Sequence, residues 1–578
     1  MMKALLRFNF KSAGGNQCPS DQRPYRNLFI LTGALLLIIL PVLSFDFGIT
    51  WDEWMQSHYG RLVLRFLLSG GQNHDFMNFA ETAYLYGGFF DTITGLVYAT
   101  LFDNVHHFVY AAIGDTLKGI SGQDLFGSGY YETRHVINSL FGFAAILFTG
   151  LLTQKLSSWR GACLALLFMA LSPVFIGHSM NNPKDIPFAA TYVFTFYFFI
   201  VYLRQLPKPK ISTMVCISLG IAAAIGIRVG GIILIFYLIL FSGAAWVRSV
   251  LNQSAGWNPW MLGGRVAAIS LGGYVGGLIF WPYGCMNPVK NLFATLKAFS
   301  RFSEATISNV LFEGKMIAIN NLPWHYIPKW IWISSPLVVL AGLILFPILI
   351  REIYRKTHYK AVLLVLFALL FPILSVIIQK PILYDSWRHL LFVYPPLVAI
   401  AAVSWEIFLR LTGNRIFKAL SIALLVLLGI EPLCWMIRNH PNEYVYFNPL
   451  AGGINRAYVN YQTDYWGNSI RQAALWLAND HRQKAPGQVI LIDSNGSIMS
   501  SFSYLRKVLG PEYIPYRQIP APLRLTNPPH YKILLPRNLS KEDFLGGKWP
   551  PPGTIYEVKA DHATLCAVAK SPNVPTKP

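Results

Sequence analysis

Apolar runs of about 18 to 20 residues recur along the first three quarters of the chain, and the charges collect in the short connections between them. As helices, runs of that length span a bilayer core of roughly 30 Å. The pattern predicts eleven membrane helices, near 28–45, 134–153, 161–178, 187–204, 212–227, 230–247, 265–282, 331–350, 361–379, 388–409 and 416–437. Alternate connections carry Lys3, Arg7, Lys11, Arg23 and Arg26, then Lys155 and Arg160, then Arg204, Lys208 and Lys210, then Arg248 and Arg265. The same side takes Arg351, Arg355, Lys356 and Lys360, and finally Arg410, Arg415 and Lys418. Short basic loops mark the cytoplasmic side, which puts the N-terminus inside and the C-terminus outside. Asp52, Glu53, Asp75, Glu81, Asp91, Asp185 and Asp385 fall on the opposite side. Residues 84–101 are apolar enough to imitate a span, but Asp91 and the Gly87–Gly88 pair assign them to a helix at the interface or packed among the others. No cleavable leader is expected, because the first apolar run begins near Leu28 and is long enough to remain as an anchor.

The organisation that follows is an N-terminal cytoplasmic arm, 1–27, a membrane domain, 28–437, with large outer loops 46–133 and 283–330, and an extracytoplasmic domain, 438–578. The segment WMQSHYGRLVLRFLL after Glu53 places Trp54, Leu62 and Phe66 on a different face from Arg61 and Arg65, the pattern of an amphipathic helix lying on the membrane surface. From about Arg438 the composition changes. NSIRQAALWLAND has helical spacing, and QVILID and YKILLP read as buried strands, so the last 140 or so residues form a modest α/β domain. The NGS and NLS triplets read as chance, and no internal repeat is visible. The fold class is thus mainly α, a polytopic membrane bundle with a small α/β domain outside.

Composition agrees. Of 578 residues, 54% are hydrophobic and only 13% charged, about half the charge of a soluble domain, and the mean hydropathy is +0.41. A soluble enzyme, a disordered chain and a fibrous repeat are excluded. The net charge of +21 is explained by basic membrane-flanking loops rather than by nucleic acid. The six cysteines, among them Cys18, Cys163 and Cys216, show neither CxxC pairs nor metal-ligand spacing.

Four polar groups stand at outer helix ends. Asp52 and Glu53 lie between Trp51 and Trp54 just past the first span, where a low dielectric would make a carboxylate a better base; solvated acids between interfacial tryptophans are the plainer alternative. Arg134, His135 and Asn138 open the second span, and Arg134 and Asn138 share a face. Arg134 is suited to phosphate through its planar fork, or equally to snorkelling toward lipid headgroups. His178, Asn182, Lys184 and Asp185 crowd a tight turn whose backbone Pro183 and Pro187 fix, a density that points to binding. Tyr384, Arg388 and His389 precede another span, and Arg228 marks a further outer turn. Several cations around one anion suit a lipid-linked phosphate at the membrane surface.

The order of these groups carries a resemblance: an outer-loop Asp-Glu pair, RHVINSLFG, LSPVFIGHSMNNPKDIPFA, NLPWHYIPKW, YDSWRHLLFVYPP and HPNEYVYFNPLAGG…TDYWG. The chain resembles bacterial GT-C glycosyltransferases of family 39, the protein O-mannosyltransferase and aminoarabinose-transferase superfamily, over nearly all of the membrane part and its junction with the outer domain. The resemblance implies an inverting transfer of a sugar from a polyprenyl-phosphate donor to an extracytoplasmic acceptor (protein, lipid or envelope glycan) in the inner membrane of a bacterium. It implies Asp52 as general base, with Glu53 placing the acceptor. Asp185 would orient substrate; Arg134, His135, Lys184, Arg228, Arg388 and His389 are phosphate candidates, Arg388 and Lys184 foremost; Trp324, His325 and Tyr326 would line the cleft or pack its roof. No metal or cofactor is predicted, although a divalent cation at Asp52, Glu53 and Asp185 is a conceivable variant. Neither a repeat-barrel insert nor lipid-A-specific features are recognisable. Two other classes compete: a transporter or flippase for lipid-linked glycans, against which the outer placement of the ionisable groups and the lack of inverted repeats count, and a non-catalytic assembly protein that docks a partner through its outer domain.

Overall fold

The computed structural model describes residues 20–79, 82–101, 129–253, 256–300, 308–518, 524 and 528–571. Lys3, Arg7, Lys11, Cys18 and Glu81 lie outside the described residues, as does most of the expected arm 1–27.

The chain is mainly α, and each of the eleven apolar stretches is helical over most of its length. The helices are α1 (Arg23–Leu43), α2 (Glu53–Leu68), α3 (Phe89–Leu101), α4 (Tyr130–Leu156), α5 (Trp159–Ala170), α6 (Pro173–Asn181), α7 (Asp185–Gln205), α8 (Ile211–Ile227), α9 (Ile233–Leu251) and α10 (Pro259–Leu278). They continue as α11 (Tyr326–Ser334), α12 (Leu337–Ile348), α13 (Tyr359–Gln379), α14 (Tyr394–Leu411) and α15 (Arg415–Asn439). Among the described residues seven helices, α1, α4, α7, α9 and α13 to α15, are long and apolar enough to cross a membrane, and up to nine spans result if each of two bent pairs counts as one. The chain is a multi-pass membrane protein. Leu31, Ile38 and Val42 on α1 and Leu420, Leu427 and Ile437 on α15 are exposed, an apolar surface that only lipid would cover at this extent. At the centre, α14 is buried along nearly its whole length and packs against α4, α5, α12 and α13.

Three expectations are corrected. The single span expected at 161–178 is two helices, α5 and α6, meeting at 68°; Pro173 disfavours helical backbone at Ser172, which is extended and whose hydroxyl is 2.6 Å from that of Tyr394. The span expected at 331–350 is broken by 120° between α11 and α12, at Ser335–Pro336. The amphipathic surface helix, α2, is instead mostly enclosed: Tyr59, Leu62, Val63 and Phe66 pack with Phe76 and Ala83, and even Arg61 is buried. The 13 residues of α3 reach about 20 Å at 1.5 Å per residue, too short to cross.

Beyond α15 the chain forms α16 (Ile470–Lys484), α17 (Ile498–Leu509) and a five-stranded sheet of order β4-β3-β5-β7-β6. Its strands are β3 (Ile490–Ser494), β4 (Tyr513–Pro515), β5 (Tyr531–Leu534), β6 (Thr554–Ala560) and β7 (Ala563–Lys570); a separate hairpin joins β1 (Asn309–Phe312) to β2 (Lys315–Ala318). β3 pairs in parallel with β4 and β5, whereas β7 runs antiparallel to β5 and β6. This domain covers one end of the bundle. At the other end the short basic connections gather, with Arg160 3.2 Å from Glu406 and the His358 N–H donating to Leu156 O at 3.0 Å.

Candidate active site

At the domain end, the segment after α1 is pinned from several elements. The Gly48 N–H donates to Asn468 Oδ1 at 2.8 Å, Asn181 Nδ2 donates to Gly48 O at 2.9 Å, and the Ile49 N–H donates to the Tyr504 hydroxyl at 2.9 Å. A Cβ on Gly48 would lie 2.4 Å from Asn468 O, so only glycine allows this approach. The segment delivers Asp52 to the start of α2 and Glu53 into its first turn. Glu53 is buried. Its Oε2 accepts the Thr50 N–H at 2.8 Å, His135 Nε2 lies 3.1 Å from Oε1, and Arg134 Nε lies 3.9 Å from Oε1. Arg134 makes its closer pair with Asp91, at 2.7 Å, and donates to Thr94 at 3.2 Å. Asn138 donates to His178 O and Ser179 O at 3.1 and 3.0 Å and so ties α4 to α6.

A second group forms around the turn between α6 and α7. Pro183 interrupts the helix, and Asn182 Oδ1 accepts the Asp185 N–H at 2.9 Å, an Asx-type turn. Asn182 Nδ2 also donates to Asp185 Oδ2 at 2.8 Å and to His178 Nδ1 at 3.1 Å, and His178 Nε2 is 3.0 Å from the Tyr465 hydroxyl. Asp185 Oδ1 pairs with Arg228, and its Oδ2 lies 3.4 Å from Arg388. Arg388 also holds Asp385 at 3.2 Å and lies 5.1 Å from both the Tyr384 and Trp466 ring centroids. The loop delivering these residues is strained: Asp385 and Ser386 have φ of 55° and 63°, a region that costs about 1–3 kcal/mol for each non-glycine residue. The Trp387 N–H bonded to Ser386 Oγ at 2.6 Å helps to hold it. His389 lies edge-on to Tyr384 at 4.9 Å, its Nδ1 enclosed without a hydrogen bond.

Asp52 stands within electrostatic reach of this second group. It is half-buried and, among the described residues, its carboxylate accepts no hydrogen bond and makes no direct ion pair. Its charge acts on Lys184, Arg388, Tyr384 and Tyr86. Lys184 Nζ lies 3.9 Å from the Tyr86 ring centroid; burial pulls its ammonium down to about 8, against the opposite pull of Asp52. Burial likewise raises the Tyr86 and Tyr384 phenols, and it raises the Asp385 carboxyl against the pull of Arg388 and Arg537.

The fold therefore assembles Asp52 with Lys184, Asp185, Arg228, Arg388, His389 and Tyr384, while Glu53, Arg134 and His135 form an adjoining group with Asp91. Trp324 is 65% exposed, His325 pairs with Glu313 at 3.2 Å, and Tyr326 is buried within the field of Asp385. Among the described residues, no three His, Cys, Asp or Glu side chains converge as a metal site; Glu53 and Asp185 turn their oxygens to arginine, histidine and amide donors. One contributor escaped the sequence reading: Arg537, from the loop after β5, lies 3.6 Å from Asp385 and 4.7 Å from the Trp51 ring centroid.

No protein-family model matches the chain, and no curated protein sequence matches it. Among solved structures it is similar to ArnT from Cupriavidus metallidurans. The apo state is 14% identical, with a TM-score of 0.47 over 95% of this chain and 98% of that one. The form bound to undecaprenyl phosphate is 13% identical, with a TM-score of 0.45 over 94% and 98%. The chain is also similar to the archaeal oligosaccharyltransferase AglB from Archaeoglobus fulgidus in complex with an inhibitory peptide and a dolichol-phosphate, at 12% identity and a TM-score of 0.41 over 87% of this chain and 69% of that one.

Proposed function

We propose that the protein is an inverting membrane glycosyltransferase of the GT-C kind, which moves a sugar from a polyprenyl-phosphate donor to an acceptor on the extracytoplasmic side. The observation that carries this reading is Asp52: a carboxylate that makes no hydrogen bond among the described residues, within electrostatic reach of Lys184, Arg388 and their neighbours at the membrane end of the outer domain. The basic connections gathered at the opposite end support a cytoplasmic N-terminus and a site facing out of a bacterial inner membrane.

In the reaction, an acceptor hydroxyl or amine attacks the anomeric carbon from the face opposite the phosphate. The new bond to that carbon forms as the bond from carbon to phosphate oxygen breaks, and the electron pair leaves with the polyprenyl phosphate. Asp52 takes the acceptor's proton. Lys184 and Arg388 hold the charge that grows on the departing phosphate, a role preorganised cations fill well in a water-poor site. Glu53, locked to Thr50 and His135, keeps the first turn of α2 in place and so aims Asp52 at the acceptor. The lipid tail stays in the bilayer beside the bundle. The test is Asp52→Asn, which preserves size and removes the base; transfer should fall by about 10² to 10⁴ with unfolding temperature unchanged. Wild-type turnover in that variant would remove Asp52 from the mechanism.

A further inference from the structure

We propose that Gln56 reads the transferred sugar, its carboxamide bonding ring hydroxyls of a polyprenyl-phosphate-linked sugar held beside Asp52 and Lys184. This rests on the transferase reading and supplies what it lacks, a group that recognises the sugar rather than the phosphate. Gln56 is 2% exposed, and both Oε1 and Nε2 are enclosed with no hydrogen-bond partner among the described residues. Buried carboxamides are nearly always paired, and an unpaired one disfavours folding because nothing replaces its lost water. A ligand that completes the missing bonds gives such a group a purpose.

Helix geometry shows which wall the carboxamide lies on. Asp52, Gln56, Tyr59 and Val63 follow one another by four, three and four residues and share a stripe. That stripe faces residues 86–88: the Tyr59 hydroxyl donates to Tyr86 O at 2.8 Å, and a Cβ on Gly88 would meet Val63 Cγ2 at 2.8 Å and Tyr59 Cε1 at 3.5 Å. Tyr86 is the ring that Lys184 caps at 3.9 Å, and Lys184 is the cation that Asp52 acts on. Gln56 also borders the neighbouring stripe, three residues after Glu53 and four before Gly60, which lie on His135 and against Asp91. Gln56 thus stands one turn along from the base, at the edge of the Asp52 wall. A carboxamide offers two donors and two acceptor lone pairs, which suits adjacent sugar hydroxyls, and being neutral it leaves the charge of Asp52 and the grip on phosphate undisturbed.

The experiment compares Gln56→Leu, Asp52→Asn and the wild-type chain by three readouts. Thermal unfolding is followed in detergent without ligand, binding is measured with undecaprenyl phosphate carrying no sugar, and transfer is measured by mass spectrometry of envelope lipids and proteins from the native host lacking its own copy. The Leu variant should unfold at the wild-type temperature or above, bind undecaprenyl phosphate as the wild type does, and lose transfer by about a hundredfold or more, as sites built to bond a hydroxyl do when the bond is removed. An unfolding temperature several degrees lower would make the carboxamide a structural group and overturn the inference. So would transfer within twofold of wild type, or loss of undecaprenyl phosphate binding. If the wild-type chain itself supports no sugar transfer, the transferase reading fails; if the wild type transfers sugar and Gln56→Leu is fully active, the role of Gln56 alone fails.

Discussion

Asp52 and Glu53 are chemically alike and adjacent, yet one turn of geometry gives them different work. Successive helical side chains diverge by about 100°, so Glu53 turns into Thr50, His135 and Arg134 while Asp52 turns toward Lys184. The oxygens of Glu53 are already taken by donors of the protein, whereas those of Asp52 are open to an acceptor's proton. Glu53→Gln should therefore cost transfer far less than Asp52→Asn, about tenfold, through a misaimed helix start. It should also destabilise the fold by about 1–3 kcal/mol, since Arg134 and His135 lose a buried acceptor. Transfer rates and unfolding temperatures measured on the two variants side by side separate these outcomes: loss of activity without loss of stability at position 52, and the reverse emphasis at position 53.

The turn between α6 and α7 is the element that concentrates charge, and it makes the site sensitive to pH. Lys184 is pulled down to about 8 by burial, so it carries its charge below that pH and loses it as pH rises through it. A phosphate is held by the charged form; donor affinity should fall between pH 7 and 9, and Lys184→Arg, which stays charged throughout, should move the falling limb upward. A KM for donor that is flat over that range would exclude Lys184 from the phosphate. This element was legible from sequence because a connector needs no such crowd of His178, Asn182, Lys184 and Asp185 around Pro183. The bends beside it were less so. A hydropathy run registers apolarity and not direction, so α5 and α6 merge into one span, although the Ser172–Pro173 step was there to read. The α/β domain shows the same limit. QVILID and YKILLP carry β-branched runs, and β3 and β5 lie there; β7, ATLCAVAK, is buried largely through small residues with weak strand preference, and its two-residue turn to β6 has Asp561 at φ 47° with no glycine to signal it.

Across the whole molecule, the α/β domain and the membrane bundle build the candidate site jointly. Asn468, Arg471 and Tyr504 clasp residues 45–49, and Trp51 packs beside the domain core of Ile470, Leu477 and Ile533. Arg537 completes the arrangement, 3.6 Å from Asp385 and over the Trp51 ring. Nothing local marks it: an arginine in the turn LPRN looks like any solvated loop cation, and its meaning arises only when β5 docks some 150 residues after Asp385 in sequence. Burial lifts the Asp385 carboxyl, and Arg388 and Arg537 oppose that lift; without Arg537 the acid gains protons more readily and Arg388 loses part of its anchor. Arg537→Met keeps an unbranched side chain of similar reach and removes the charge together with the guanidinium's place over Trp51. It should leave the bundle and domain folded, raise KM for the lipid donor by about tenfold as Arg388 loosens, and move the acidic limb of the pH–rate profile upward. An assembly protein that merely docks a partner through this domain would be indifferent to that substitution while remaining sensitive to removal of the domain, so an unchanged KM and pH profile in Arg537→Met would separate the domain from the chemistry.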